Sequence, residues 1–527
     1  MFLLGAFWRS ELAPSPNRWR CVSRTKRALA GFAASVVQYG LLIALQAILT
    51  PMVLRVAGQE TLGAFAILMQ AIGFLALSDM GLALGLSREL SQAFGTEGGD
   101  RRFASILGSG RTLLLGANLV QAIGVAGLAM ALKPLFHFSA EVQHEAALGL
   151  YALAAWIVIR TILQPYSFAL IAAQELAARN ILLTLAQTLR LVLSLAAVWE
   201  GLGLIGLIGA NVLAEMVDFG LCAGYYTRRG LPRVLARPDV DSGAVARLFH
   251  FGLGIVFVNL SYRLIFSSGT LVSGVVRGAT AASIFYATQM PALVGWNLVH
   301  RVADNGTPAI NQLLGLGDFG GLRRAFLRLH RITLLLLIPL VAGLVTMNGW
   351  VIRTWVGNAQ YAGEVASLSL AAFACSMCVA HVSNAFIIAA GRLRVLATLA
   401  VAEGLSALVL SIVLGRLVGL GGIFLGTALA DIPVSLCLHS RAQKIVGVSY
   451  RVYFRECVWP ALKAGAPIGL SLVALRSLTR VGSPLGIGVG CAAVGGIGIL
   501  AIWRMGLSHA ERREALAALS ARSRLST

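Results

Sequence analysis

Apolar residues run in blocks of 18–25 along most of this 527-residue chain, and short basic or Gly/Pro-containing breaks separate the blocks. A helix rises about 1.5 Å per residue, so each block is long enough to cross the roughly 30 Å hydrocarbon core of a bilayer. Fourteen spans follow, at roughly 30–54, 62–87, 104–132, 146–172, 180–199, 203–225, 248–273, 281–303, 332–351, 365–390, 395–415, 419–439, 459–478 and 484–505. The pattern predicts an all-α polytopic membrane protein. A membrane β-barrel would show alternation over segments of about ten residues instead.

Composition agrees, since 57% of residues are hydrophobic and only 12% are charged, too few to cover the surface of a water-soluble fold. The net charge of +21 first suggests nucleic acid. Its distribution argues otherwise. With the N-terminus inside, and cations within two residues of a span's end counted with the adjoining loop, the tails and inside loops carry 31 Lys/Arg and the outside loops carry 7, a strong positive-inside bias. Basic stretches such as LRRAFLRLHR at 322–331 then face anionic inner-leaflet lipid, and both termini are expected to be cytoplasmic. The residues before the first span lack the order of a signal peptide. The seven cysteines are scattered; Cys375 and Cys378 read as CxxC but sit in an apolar span, where small packing residues are the expectation.

The chain also repeats itself. GLGLIGLIGANVLAE at 201–215 returns as GLGGIFLGTALAD at 419–431, with an offset of 216 that sets Glu215 on Asp431. SFALIAAQ at 167–174 returns as NAFIIAAG at 384–391, offset by 217. Six is an even number, so the two six-span halves have the same orientation and form a parallel repeat. The expected plan is 6+6+2: a tail at 1–29, an N-lobe at 30–225, a basic linker at 226–247, a C-lobe at 248–439, accessory spans at 440–505 and a basic tail at 506–527. Such a bundle places a substrate between its lobes and works by rocking them.

The pattern LGAFAILMQAIGFLALSDMGLALGLSREL in 62–90, the AAQ and AAG endings at 174 and 391, and the 6+6+2 plan carry a resemblance. The chain resembles the polysaccharide-transporter branch of the multidrug/oligosaccharidyl-lipid/polysaccharide (MOP) exporter superfamily, which includes Wzx-type flippases. The resemblance covers roughly residues 30–505. It implies alternating-access flipping of an undecaprenyl-pyrophosphate-linked oligosaccharide, an O-antigen or exopolysaccharide unit, across a bacterial inner membrane. It also implies a cationic cavity, a groove for the lipid tail formed with the last two spans, and a polymerase and chain-length regulator as protein partners.

Ionisable residues inside the spans are the candidates for chemistry, because each is costly in lipid unless paired or hydrated. Arg263, Arg190, Arg160 and Arg111 are the candidate substrate-binding cations, since a guanidinium presents a planar fork to phosphate oxygens. Arg263 is the foremost of these, with Asn259, Ser261 and Tyr262 beside it. The competing reading is that these arginines form permanent ion pairs with embedded acids. Those acids are Asp79, Glu215, Asp218, Glu403 and Asp431, which either neutralise arginines or bind H⁺ or Na⁺ to couple transport to a gradient. Arg88, Arg301 and Asp304 form either a cytoplasmic gate or simple topological anchors. No Walker A motif, metal-ligand spacing or cofactor motif occurs, so no cofactor is expected.

Two other functions compete. A drug or cation exporter of the same superfamily, or a lipid II-type exporter, would share the plan; the drug exporter predicts an acid in the first span, which offers only Gln38 and Gln46. A membrane polymerase or ligase would need acids or histidines on a sizeable outside loop, and the loops near 133–145 and 353–364 show no such cluster. The chain is therefore expected not to be an enzyme.

Overall fold

The computed structural model describes residues 46–79, 99–172, 175–228, 241–478 and 484–507, with a few single residues beside them. Among these the chain is helical throughout. The elements are α1 (Gln46–Val56), α2 (Gly58–Leu75), α3 (Gly99–Leu135), α4 (Ala140–Arg160), α5 (Gln164–Ala172), α6 (Leu176–Trp199) and α7 (Gly203–Arg228). They continue as α8 (Ser242–Phe266), α9 (Ser268–Arg277), α10 (Ala279–Gly315), α11 (Phe319–Val356), α12 (Glu364–Ala389), α13 (Leu393–Leu417) and α14 (Leu420–Val446). The last are α15 (Tyr450–Tyr453), a π-turn at Phe454–Val458, α16 (Trp459–Leu478) and α17 (Pro484–Ala501). Ten helical stretches of the described residues are each long and apolar enough to cross a membrane. Helices coincide with spans 2–14 and with the end of span 1, which is compatible with the fourteen-span plan.

Polar punctuation sets the helix ends. Asp241 accepts from the Gly243 amide at 2.8 Å to start α8, and Asp318 accepts from Gly321 at 2.8 Å to start α11. Each satisfies one of the orphan amides of a first turn. Gly447, with φ of +66°, ends α14 in the left-handed conformation that a side chain would strain. Two expected spans are interrupted. Span 4 breaks between Arg160 and Gln164, where Pro165 follows, and span 7 breaks at Ser267. Both breaks fall beside one of the embedded arginines.

The chain divides into two compact units, Asn17–Tyr286 and Ala287–Thr527 with the first sixteen residues. The division falls inside α10, further along the chain than the basic linker at 226–247 on which a boundary was expected. The reason is close packing of α8–α10 against α2. Any side chain at Gly63 would run into the backbone of Ala279, and Gly73 leaves room for the Arg263 guanidinium. Small residues at such faces let helix backbones approach where lipid offers no hydrophobic drive. The core of this unit gathers Ile67, Leu68, Val125, Leu150, Ile157 and Ile208. In the other unit Phe326, Phe386, Leu438 and Tyr453 form the core, and the accessory α16 packs its Gly465 against Ile338 of α11.

Two predictions follow from this packing. A Cβ at Gly426 in α14 would meet the Ser411 backbone nitrogen of α13 at 2.5 Å, so Gly426→Leu should destabilise the fold by about 1–3 kcal/mol, read as a lower Tm of the detergent-solubilised protein. Arg179 grips Asp218 with two hydrogen bonds of 2.8 and 2.9 Å, joining the start of α6 to α7, and both side chains are largely buried. Arg179→Ala strands a buried carboxylate and should cost about 3 kcal/mol, while the double variant with Asp218→Asn should recover most of the loss in the same melt.

Candidate functional site

In the Asn17–Tyr286 unit, a buried polar network surrounds Arg160 at the end of α4. Its guanidinium donates to Glu215 Oε1 of α7 at 2.9 Å and to Gln121 Oε1 of α3 at 2.8 Å. The indole of Trp156 donates to the other Glu215 oxygen at 2.7 Å. Asn118 extends the network through the broken segment, donating to Thr161 Oγ1 at 2.9 Å and Gln164 Oε1 at 3.1 Å. Arg160 and Glu215 are thus partners of one another, and Asp218 belongs to Arg179. The paired reading holds for these acids, and Arg179, which the sequence placed in an ordinary inside loop, is a residue that spacing did not single out.

Arg190 differs. It sits mid-way along α6, its guanidinium reaches Asn211 Oδ1 of α7 at 3.4 Å, and the Tyr286 phenol lies within electrostatic range. Tyr286 in turn donates to Gln46 Oε1 of α1 at 3.4 Å. No carboxylate of the described residues forms an ion pair with Arg190. This guanidinium is flanked by amides and a phenol, groups that orient it without neutralising it. Arg263 lies one turn before the break at Ser267, packed on Gly73, and Asp79 acts on it as the neighbouring charge. The embedded acid of the second span therefore lies near the foremost candidate cation. Arg111, on α3, neighbours Tyr166. Arg88 lies outside the described residues.

The other unit holds the second cluster. Asp431 of α14 and Glu403 of α13 are neighbouring carboxylates, both buried, and Ser376 of α12 donates to Asp431 Oδ2. Two carboxylates side by side in a bilayer are costly unless they share a proton or meet a cation. Nearer the end of α10, Asp304 accepts from His381 Nε2 at 3.0 Å, with Arg301 as a neighbouring charge. His300 stacks on His381, ring centres 3.9 Å apart. Arg301 and Asp304 thus belong to a histidine cluster on α10 and α12 that the sequence did not bring together, since 77 residues separate Asp304 from His381.

The repeat explains the contrast between the units. At the offset of 216, Glu215 corresponds to Asp431, Arg160 to Ser376 and Gln187 to Glu403. The contact between the α4 and α7 positions recurs between α12 and α14. Its chemistry does not recur. One half neutralises its acid with an arginine; the other replaces the arginine with a serine and adds a second acid.

The comparisons with known proteins agree with this architecture. A family model described as "Polysaccharide biosynthesis protein" matches residues 117–365. No curated protein matches the chain in sequence. Among solved structures, an inward-facing multidrug-resistance MATE transporter of the MOP superfamily is 16% identical, with a TM-score of 0.65 over 77% of this chain and 94% of its own. The lipid II flippase MurJ in an inward closed conformation is 14% identical, with a TM-score of 0.63 over 88% of this chain and 97% of its own. A MOP-superfamily transporter from Pyrococcus furiosus, described as having a binding pocket of reverse polarity, is 16% identical, with a TM-score of 0.55 over 80% of this chain and 94% of its own. At these identities the likeness speaks for the fold. The chain is a multi-pass membrane protein with the fold of the MOP-superfamily transporters.

Proposed function

We propose that this protein flips an anionic lipid-linked oligosaccharide, an undecaprenyl-pyrophosphate-linked unit of a surface polysaccharide, across the bacterial inner membrane by alternating access. In this reading both termini are cytoplasmic and an ion gradient supplies the energy. The observation that carries it is Arg190: a membrane-embedded guanidinium without a carboxylate partner among the described residues. A cation in that state is costly unless an anion visits it, and a pyrophosphate supplies oxygens that match its fork. The polysaccharide family match over 117–365 supports the glycan class. Arg263 is the second candidate contact, with Asp79 holding its charge in balance between substrates. Arg160 instead keeps the α4 break attached to α7, and Arg111 is the weakest candidate. The fold shared with multidrug exporters does not decide the substrate; the embedded arginines favour an anion.

Deleting the gene is expected to leave lipid-linked repeat units on the cytoplasmic face, assayed by their accessibility in right-side-out vesicles. Unchanged surface polysaccharide in the deletion strain would sink the reading. Arg190→Ala should fail to restore the polysaccharide although the protein reaches the membrane, and Arg190→Lys should restore part of it. Loss of a charge-assisted phosphate contact costs about 1.5–3 kcal/mol, roughly tenfold or more in substrate affinity. Full activity in Arg190→Ala would remove that residue from the site.

A further inference from the structure

The helix that carries Asp431 carries more polar groups than a lipid-embedded helix needs. Asp431, Ser435, His439 and Gln443 recur every four residues along α14, which sets them on one stripe. All four are buried, with 2%, 4%, 7% and 3% of their surface exposed. The stripe runs about 18 Å along the axis, more than half of a bilayer core, from the Glu403–Asp431 pair to the end of α14 that carries Arg441 and Lys444. In the other half of the repeat, the positions of Ser435 and His439 are Phe219 and Ala223. The stripe is therefore a property of this half alone, as is the pair of acids.

The lower half of the stripe carries open hydrogen-bonding atoms. His439 Nε2 is buried without a hydrogen bond, and so are both polar atoms of the Gln443 amide. Buried polar atoms are otherwise satisfied in more than nine cases of ten, so groups left open along one stripe point to water lying on it. The surroundings also give the stripe a direction. The Phe326 carbonyl, 2.9 Å from His330 Nδ1 on α11, can only accept, so that nitrogen carries the proton. The one Ser383 hydroxyl hydrogen goes to the Val379 carbonyl at 3.0 Å or to His330 Nε2 at 3.1 Å, and with either taken the hydroxyl oxygen accepts from His439 Nδ1 at 3.0 Å. With both rings neutral, His439 is left with its Nε2 lone pair uncommitted. The titratable groups facing the stripe from the packed elements are Glu403 on α13, Cys375 and Cys378 on α12, His330 on α11 and, beside His439, Tyr453 on α15.

We infer that Asp431, Ser435, His439 and Gln443 line a narrow hydrated file through which the Glu403–Asp431 pair exchanges its proton with the basic end of the bundle. One proton leaves the pair for water in the file, His439 Nε2 holds it as an imidazolium, and water at Gln443 carries it out. Only O–H and N–H bonds are made and broken, and the pair is left with two negative charges until a proton returns. The inference deepens the ion-driven transport reading, on which it rests for its purpose. It names the proton as the ion and gives its route.

Infrared spectroscopy of the full-length protein in lipid nanodiscs tests the route without any glycan. The protonated carboxyl gives its own C=O band, which should disappear in Glu403→Gln and shift on transfer to D₂O. His439→Phe and Gln443→Leu should each slow that shift about tenfold while the band persists, because each closes the file without touching the pair. Melting curves like those of the wild type show that the two variants are folded. Exchange within twofold of wild type in both folded variants overturns the route. A band that survives Glu403→Gln, or that vanishes on adding sodium in H₂O, overturns the proton-holding pair. Because no substrate enters the measurement, failure here leaves the flippase reading to its deletion test, and failure of that test leaves this result standing.

Discussion

Every charge placed inside this helical bundle must find a counter-charge, a proton or water, and that constraint orders the interior. Lipid offers no hydrogen bonds, so an embedded acid selects its neighbours. Glu215 takes Arg160 and Trp156; Asp218 takes Arg179. Asp431 takes a serine and lies beside another acid. From these choices follow the fixed junctions of one unit and the titratable interior of the other.

Seen this way, the repeat is a division of labour. The ancestral contact between the fourth and sixth helices of a half survives in both copies, at Arg160–Glu215 and at Ser376–Asp431. Where the arginine remains, the contact is a strut, and removing one partner would leave a buried charge. Where the serine stands, the acid has a neutral partner in place of a counter-charge. The unit with the strut also holds Arg190, oriented by Asn211 beside Tyr286. In the proposed reading, anion contact and proton handling fall to different units.

Helix breaks sit where the chemistry is. Span 4 is interrupted just after Arg160, and span 7 one turn after Arg263. A break frees backbone groups that hydrated or polar surroundings must satisfy. The amides of Thr161, Ile162 and Leu163 turn to the carbonyls of Val158, Ile159 and Arg160, and the Ser267 amide bonds back to the Arg263 carbonyl. Gly63 and Gly73, by contrast, act through the side chains they lack, letting α2 lie against α8–α10.

The sequence by itself determined the class of the protein. Runs of apolar residues, the bias of basic loops and the repeat at an offset of 216 were enough to read an all-helical membrane bundle, because lipid imposes length, hydropathy and topology locally along the chain. The tertiary structure alone decided which acid meets which base. Arg179 looked like a loop cation and proved to be the partner of Asp218, and Glu403 joined Asp431 across 28 residues of sequence. The stripe on α14 had a period visible in the sequence, but its burial and its open hydrogen-bonding groups were not. Pairing depends on which faces of different helices meet, and that is fixed by close packing around small residues, a contact no single helix encodes.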